Sequence, residues 1–184
     1  GAKIHVGAKA LGCEKQADGS LAVAFEKDGK RDTVVCDVVL VAVGMRPNTK
    51  GIGLEDVGVK LTDRGFVQID KQGRTNVAGV YAVGDVSGPP LLAHKASKEG
   101  EVVAEVIAGH KAAMDWVAMP AATFTDPEIA SVGLTEAEAK DKGVEVLVGK
   151  FPFAALAKAM AVGDTDGFVK VIADKATKQV IGVH

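Results

Sequence analysis

The sequence predicts an α/β fold, and three observations point to it. Residues 38–43 (Val38, Val39, Leu40, Val41, Ala42, Val43) are apolar on both faces, which is the pattern of a strand buried inside a parallel sheet. Residues 80–83 repeat that pattern and end in Gly84-Asp85. A Gly/Pro turn follows, and residues 92–107 then show the spacing of an amphipathic helix.

The opening third is expected to be antiparallel. Residues 9–14, 21–26 and 31–36 are strand candidates, and the second alternates with Leu21, Val23 and Phe25 on one face. Asp18-Gly19 and Asp28-Gly29 stand between them, and Asp-Gly is a strong signal for a tight hairpin. Residues 48–74 connect, with a turn at 61–66 between two short strands and further bends at Gly51, Gly53, Gly58 and Gly73. In the helix of residues 92–107, Ala96, Val103 and Ile107 are expected on the packed face, and Lys98, Glu101 and Glu105 on the exposed one. Gly109 is its expected stop.

Beyond Pro120 the pattern changes. Thr125-Asp126-Pro127-Glu128 reads as a turn, and Thr135 with Glu138 forms a capping box that opens a helix reaching about Lys142. Residues 144–150, 167–173 and 178–183 are expected strands, with a turn at 174–177.

Composition is that of an ordinary globular chain: 184 residues, 47% hydrophobic and 25% charged. Net charge is −2 with the signs interspersed, so neither a nucleic-acid nor a membrane partner is expected. The apolar runs are too short to span a bilayer as helices. Cys13 and Cys36 form no close motif and are expected as buried small apolar residues, in a reducing compartment. No histidine has metal-ligand spacing, and no metal site is expected. The chain opens without Met and stops within an expected strand, so an internal fragment of a longer polypeptide is expected.

The candidate site lies where residues 80–83 end. Asp85 would sit at the carboxyl edge of a strand, where doubly wound sheets bind ligands, and its carboxylate can accept hydrogen bonds from sugar or ribityl hydroxyls. Asp in this position also serves as a plain turn or cap residue; the surrounding motif favours the ligand-binding role. Leu91, Leu92, Ala93 and His94 open the helix, whose first turn leaves N–H groups without intrahelical acceptors. Aimed at the N1 and O2 edge of a flavin, that helix end would stabilise the charge that develops on reduction. The backbone of His94, rather than its imidazole, is expected to make the contact. Gly44 permits close approach of a ligand to the backbone, or marks an ordinary turn.

Four stretches together resemble one family: residues 38–49, ending Gly44-Met45-Arg46-Pro47-Asn48-Thr49; residues 75–85; Leu92-Ala93-His94-Lys95-Ala96-Ser97; and residues 125–135. In this order they look like the dihydrolipoamide dehydrogenases among the flavoprotein pyridine nucleotide-disulfide oxidoreductases. The Ala-His-Lys-Ala string favours these over mercuric and glutathione reductases. The resemblance implies part of a fold with two dinucleotide-binding domains, plus the start of an α+β dimerisation domain. Residues 1–47 would end the NAD domain, 48–118 would be a central region with the last FAD-contacting strand and helix, and 119–184 would begin the interface domain. It implies FAD held by Asp85, Leu91, Leu92, Ala93 and His94, and NAD contacted by Gly44 and Ala10. Met45 stands where many members have Arg.

It further implies oxidation of protein-bound dihydrolipoamide with reduction of NAD, in a homodimer serving the 2-oxoacid dehydrogenase and glycine cleavage complexes. The compartment would be the bacterial cytoplasm or the mitochondrial matrix. The family's redox cysteine pair, glycine-rich fingerprints and catalytic His-Glu pair have no counterpart among these residues, so no catalytic residue is expected in this chain and the isolated chain is expected to be inactive. Another flavoprotein disulfide reductase, or an inactive dimerisation module, are the alternatives.

Overall fold

The computed structural model describes residues 1–184. The chain mixes helices and sheets and divides into two compact units, Gly1–Met45 and Arg46–His184. Each is described by itself.

The first unit is an antiparallel meander of β1 (Lys9–Lys15), β2 (Leu21–Lys27) and β3 (Lys30–Cys36). Lys27 pairs with Lys30, which leaves Asp28-Gly29 as a two-residue loop. Both residues have positive φ, 52° and 73°, as the turn that matches strand twist requires. At the other hairpin Ser20 donates its N–H and hydroxyl to the Asp18 carboxylate, which holds that carboxyl below its usual range. A bulge separates Ala10 from Gly12 in β1.

Residues 38–43 do not form the expected strand. They run irregularly with Val38, Leu40 and Val43 at least 80% exposed. A strand apolar on both faces needs hydrogen-bonding neighbours and a packed layer on each side, and every ladder in this chain is antiparallel and lies elsewhere. The cysteines are also not buried: Cys13 is exposed and Cys36 half-buried, because β1 and most of β3 are exposed.

The second unit begins with irregular chain pinned by side chains. Asn76 accepts from the Lys60 N–H at 2.7 Å and donates to the Gly58 carbonyl at 2.8 Å. The buried Thr49 hydroxyl donates to the Gly65 carbonyl at 2.9 Å. An isolated bridge joins Leu61 to Val67, and Phe66 and Val67 are buried. Residues 80–83 form no strand. Only Tyr81 is bridged, to Arg74, and the Ala82 and Thr75 N–H groups donate to the Gly73 and Val80 carbonyls. Residues 73–75 offer one short edge, which supports a hairpin-like pairing and not a ladder.

Helix α1 (Ala93–Ile107) packs on this region. Lys95, Glu99, Val102, Val103 and Val106 are buried, a set that recurs at helical spacing. The packed face is thus turned from the expected one: Val103 lies on it, Ala96 is half-buried, and Ile107 is 64% exposed. Lys98, Glu101 and Glu105 are exposed as expected. A Cβ on Gly73 would lie 2.3 Å from a methyl of Val103, so the absence of a side chain there lets α1 come close.

The rest is a five-stranded antiparallel sheet ordered β4-β5-β8-β7-β6. Its strands are β4 (Ala121–Thr123), β5 (Ile129–Gly133), β6 (Val146–Pro152), β7 (Phe168–Asp174) and β8 (Val180–Val183). Helix α2 (Glu136–Asp141) starts with the expected capping box, in which Glu138 N–H donates to Thr135 Oγ1 and Thr135 N–H donates to the Glu138 carboxylate. Helix α3 (Ala157–Val162), β4 and β5 were not legible in advance. Ala139, Ala159 and Ile172 are the buried apolar residues of this part.

Candidate functional site

The site is built from a turn and a helix start. Residues Gly84–Ser87 form a single 3₁₀ turn that closes at Gly88, whose N–H donates to the Asp85 carbonyl at 3.3 Å. Gly84 is buried with φ +80°, and a Cβ there would lie 3.3 Å from the Ala96 Cβ. The turn therefore sits directly on α1. Pro89 and Pro90, joined by a cis peptide bond, lead to Leu91 and Leu92, both half-buried.

Leu92 is the N-cap in extended conformation, and no side chain caps the helix. The Leu92 carbonyl accepts from the Ala96 N–H at 3.1 Å. The N–H groups of Ala93, His94 and Lys95 precede the first intrahelical bond and carry the positive end of the helix dipole. The His94 side chain is exposed and its Nε2–H donates to the Pro120 carbonyl at 2.7 Å. Asp85 is exposed too, and its carboxylate accepts no hydrogen bond from any other residue.

Behind these exposed groups lies a buried polar network that charge patterning did not reveal. Lys95 and Glu99 stand one helical turn apart with side chains only 2% and 5% exposed, Nζ to Oε1 3.3 Å. Lys95 Nζ donates to the Gly84 carbonyl at 3.0 Å, the Gly88 carbonyl at 2.6 Å and Ser87 Oγ at 3.3 Å. Glu99 Oε2 accepts from the Gly84 N–H at 2.6 Å and from the Ser87 hydroxyl at 3.1 Å. A Lys and a Glu four residues apart read as a solvent-facing helix pair. The signal that could have found them is the placement of Lys95 within the first turn of a helix that follows Gly84–Ser87.

The sequence-predicted residues fall in two places. Asp85, Leu91, Leu92, Ala93 and His94 belong to the second unit and are carried by one turn and the helix that anchors it. Ala10 and Gly44 belong to the first unit. Ala10 is exposed in β1 opposite Phe25, at the edge of the bulge. Gly44 is exposed at φ +110° in the irregular run, with nothing within 4 Å of where a Cβ would stand.

Chemically, the second set combines a carboxylate free to accept hydrogen bonds with backbone donors free to give them. That suits a ligand carrying hydroxyls next to an electron-rich ring edge.

Residues 1–100 match the family described as pyridine nucleotide-disulphide oxidoreductase. Residues 119–184 match its dimerisation domain. The dihydrolipoyl dehydrogenase of Geobacillus stearothermophilus is 50% identical over 184 residues, 100% of this chain and 39% of that protein. That of Bacillus subtilis (strain 168) is 51% identical over 182 residues, 99% of this chain and 38% of that protein. The chain thus spans about two-fifths of the length of the curated relatives it matches. Among solved structures, LpdA from Mycobacterium tuberculosis superposes with a TM-score of 0.84 at 30% identity, covering 96% of this chain and 38% of that one. A Cu(II) complex of a cysteine-to-serine mutant of the HOCl-induced flavoprotein disulfide reductase RclA from Escherichia coli gives a TM-score of 0.84 at 26% identity, covering 96% of this chain and 39% of that one.

Proposed function

Because this chain belongs to the pyridine nucleotide-disulphide oxidoreductase family, we propose that it is part of an FAD-dependent enzyme that oxidises protein-bound dihydrolipoamide to lipoamide and reduces NAD to NADH. The relatives that share half of its residues over its whole length carry the name dihydrolipoyl dehydrogenase. The single structural observation that supports the reading is the pairing of the unbonded Asp85 carboxylate with the uncapped start of α1.

These groups fit the flavin half of FAD. Asp85 would accept hydrogen bonds from ribityl hydroxyls. The backbone at Leu91, Leu92, Ala93 and His94 would line the ring, with the first-turn N–H groups facing its electron-rich edge. Ala10 and Gly44 would contact NAD, Gly44 because it brings no side chain between ligand and backbone. When bound, FAD supplies the electron relay between a thiol pair and the nicotinamide. Within this chain the proposed work is holding and orienting; the exposed Cys13 and half-buried Cys36 stand in separate strands.

The match of residues 119–184 to a dimerisation domain supports assembly as a homodimer. Lipoyl-bearing proteins of the 2-oxoacid dehydrogenase and glycine cleavage complexes are the proposed partners, and the bacterial cytoplasm or the mitochondrial matrix the proposed compartment. The test is direct. Protein purified from the source is mixed with dihydrolipoamide and NAD, and NADH formation is followed at its absorbance band. Turnover is expected. Flavin-bound protein that ignores dihydrolipoamide yet reduces a different disulfide would move the assignment to another flavoprotein disulfide reductase, a class to which the solved structure of RclA belongs by name.

A further inference from the structure

We propose that Lys95 and Glu99 are positioning residues of the cofactor site: their buried ion pair holds the Gly84–Ser87 turn on α1 and so fixes the Asp85 carboxylate relative to the helix start. The inference rests on the reading of that site given above.

Asp85 does nothing to place itself. Its side chain bonds to no other residue, so its direction is inherited from the backbone of the turn. That backbone is gripped at both ends. Lys95 takes the carbonyls of Gly84 and Gly88, the first and last members of the loop, while Glu99 takes the Gly84 N–H. Ser87 completes the grip. Its hydroxyl lies within 3.1 Å of Glu99 Oε2, 3.3 Å of Lys95 Nζ and 2.7 Å of the Gly84 carbonyl. Every hydrogen-bond partner of the Lys95 ammonium is in the turn, and its ion-pair partner is Glu99.

Lys95 is also part of the helix start, since its own N–H is among the free donors of the first turn. One residue therefore joins the two halves of the site.

Stability alone does not call for such a pair. Desolvating two charges is costly before their attraction is counted, and well-packed apolar residues of similar size often do as well or better. What the pair adds over an apolar contact is direction. Nζ and the carboxylate reach named backbone atoms, and those atoms fix the orientation of the turn.

The test is a double-mutant cycle between Lys95→Met and Asp85→Ala in the full source polypeptide. The readouts are the FAD dissociation constant, from flavin fluorescence, and amide hydrogen exchange at Gly84. Lys95→Met is expected to weaken FAD binding about tenfold or more and to speed exchange at Gly84. Its effect on FAD is expected to shrink to within about twofold once Asp85→Ala is present, because the contact that Lys95 helps to place is then already gone. A loss of thermal stability with unchanged FAD affinity, or effects that simply multiply, overturns the proposal. Unchanged FAD affinity in Asp85→Ala alone overturns the reading of the site itself, and this inference with it. Should Lys95→Met fail to accumulate as folded protein, Glu99→Gln decides in its place. It keeps the volume and one acceptor for the Gly84 N–H but removes the charge, and the same non-additivity with Asp85→Ala is expected.

Discussion

Gly84 rests so close on Ala96 that even a methyl group there would be crowded. The missing Cβ of Gly84 would stand 3.3 Å from the Cβ of Ala96, and the backbone there has φ +80°. Gly84→Ala is therefore expected to destabilise the protein by about 1–2 kcal/mol, from left-handed strain and crowding together. It should also weaken flavin binding, because the turn must lift from α1. Urea denaturation and FAD titration of the variant check this. Adding Ala96→Gly should restore only part of the loss, since it relieves the contact and leaves the strained φ.

A second close approach holds the carboxyl-terminal sheet. A Cβ on Gly133 would lie 2.1 Å from the Ile181 carbonyl oxygen, and one on Gly182 would lie 2.0 Å from the Leu134 carbonyl oxygen. Gly133 and Gly182 are register partners between β5 and β8. Both obstacles are backbone and cannot rotate aside. Alanine at either position is expected to cost more than about 3 kcal/mol, the range of a severe backbone clash. Denaturant unfolding monitored by far-ultraviolet circular dichroism measures it, and a neutral variant would mean that the two strands are not so closely apposed.

The His94 imidazole reaches the Pro120 carbonyl, whereas the backbone N–H of the same residue belongs to the open helix turn. His94→Ala should then leave FAD affinity within about threefold of the parent, the scale of one modest hydrogen bond. Hydrogen exchange around Pro120 should rise instead. A loss of FAD binding beyond tenfold would make the imidazole itself a cofactor contact.

Acid should loosen α2 through its capping box. The Thr135 N–H and hydroxyl hydrogen-bond the Glu138 carboxylate and hold its pKa below the ordinary value. A carboxyl whose folded pKa is depressed contributes stability that is present above its unfolded pKa and is lost as pH falls through the folded one. Asp174, held down by the N–H groups of Thr177 and Ala176, acts in the same direction. Melting temperature should decline as pH drops below the usual carboxylate range, and the decline should be shallower in Glu138→Gln. Equal slopes for the parent and this variant would remove Glu138 from the effect.

How much of this could be read in advance depended on how local each feature is. The meander and its Asp28-Gly29 turn, the helix of residues 93–107 and the Thr135–Glu138 box are specified by neighbours within a few residues, and all three formed. The apolar runs at 38–43 and 80–83 carry the pattern of buried strands, but a strand exists only against a partner. No parallel partner pairs with either run. The exposed end of the site was legible because Gly84, Asp85 and the helix start lie close together in sequence. Its buried support was not, because Lys95 and Glu99 are residue types that favour solvent. Only the arrival of the Gly84–Ser87 turn over α1 supplies the carbonyls, N–H and hydroxyl that let them be buried.

Everything proposed for this chain turns on a flavin held between Asp85 and the start of α1. The most direct test is a crystal structure of the source protein with FAD bound. Ribityl oxygens are expected within hydrogen-bond distance of the Asp85 carboxylate, with the ring's N1 and O2 edge facing the N–H groups of Ala93 and His94. A flavin bound elsewhere, or one whose ribityl chain leaves Asp85 in solvent, would contradict it.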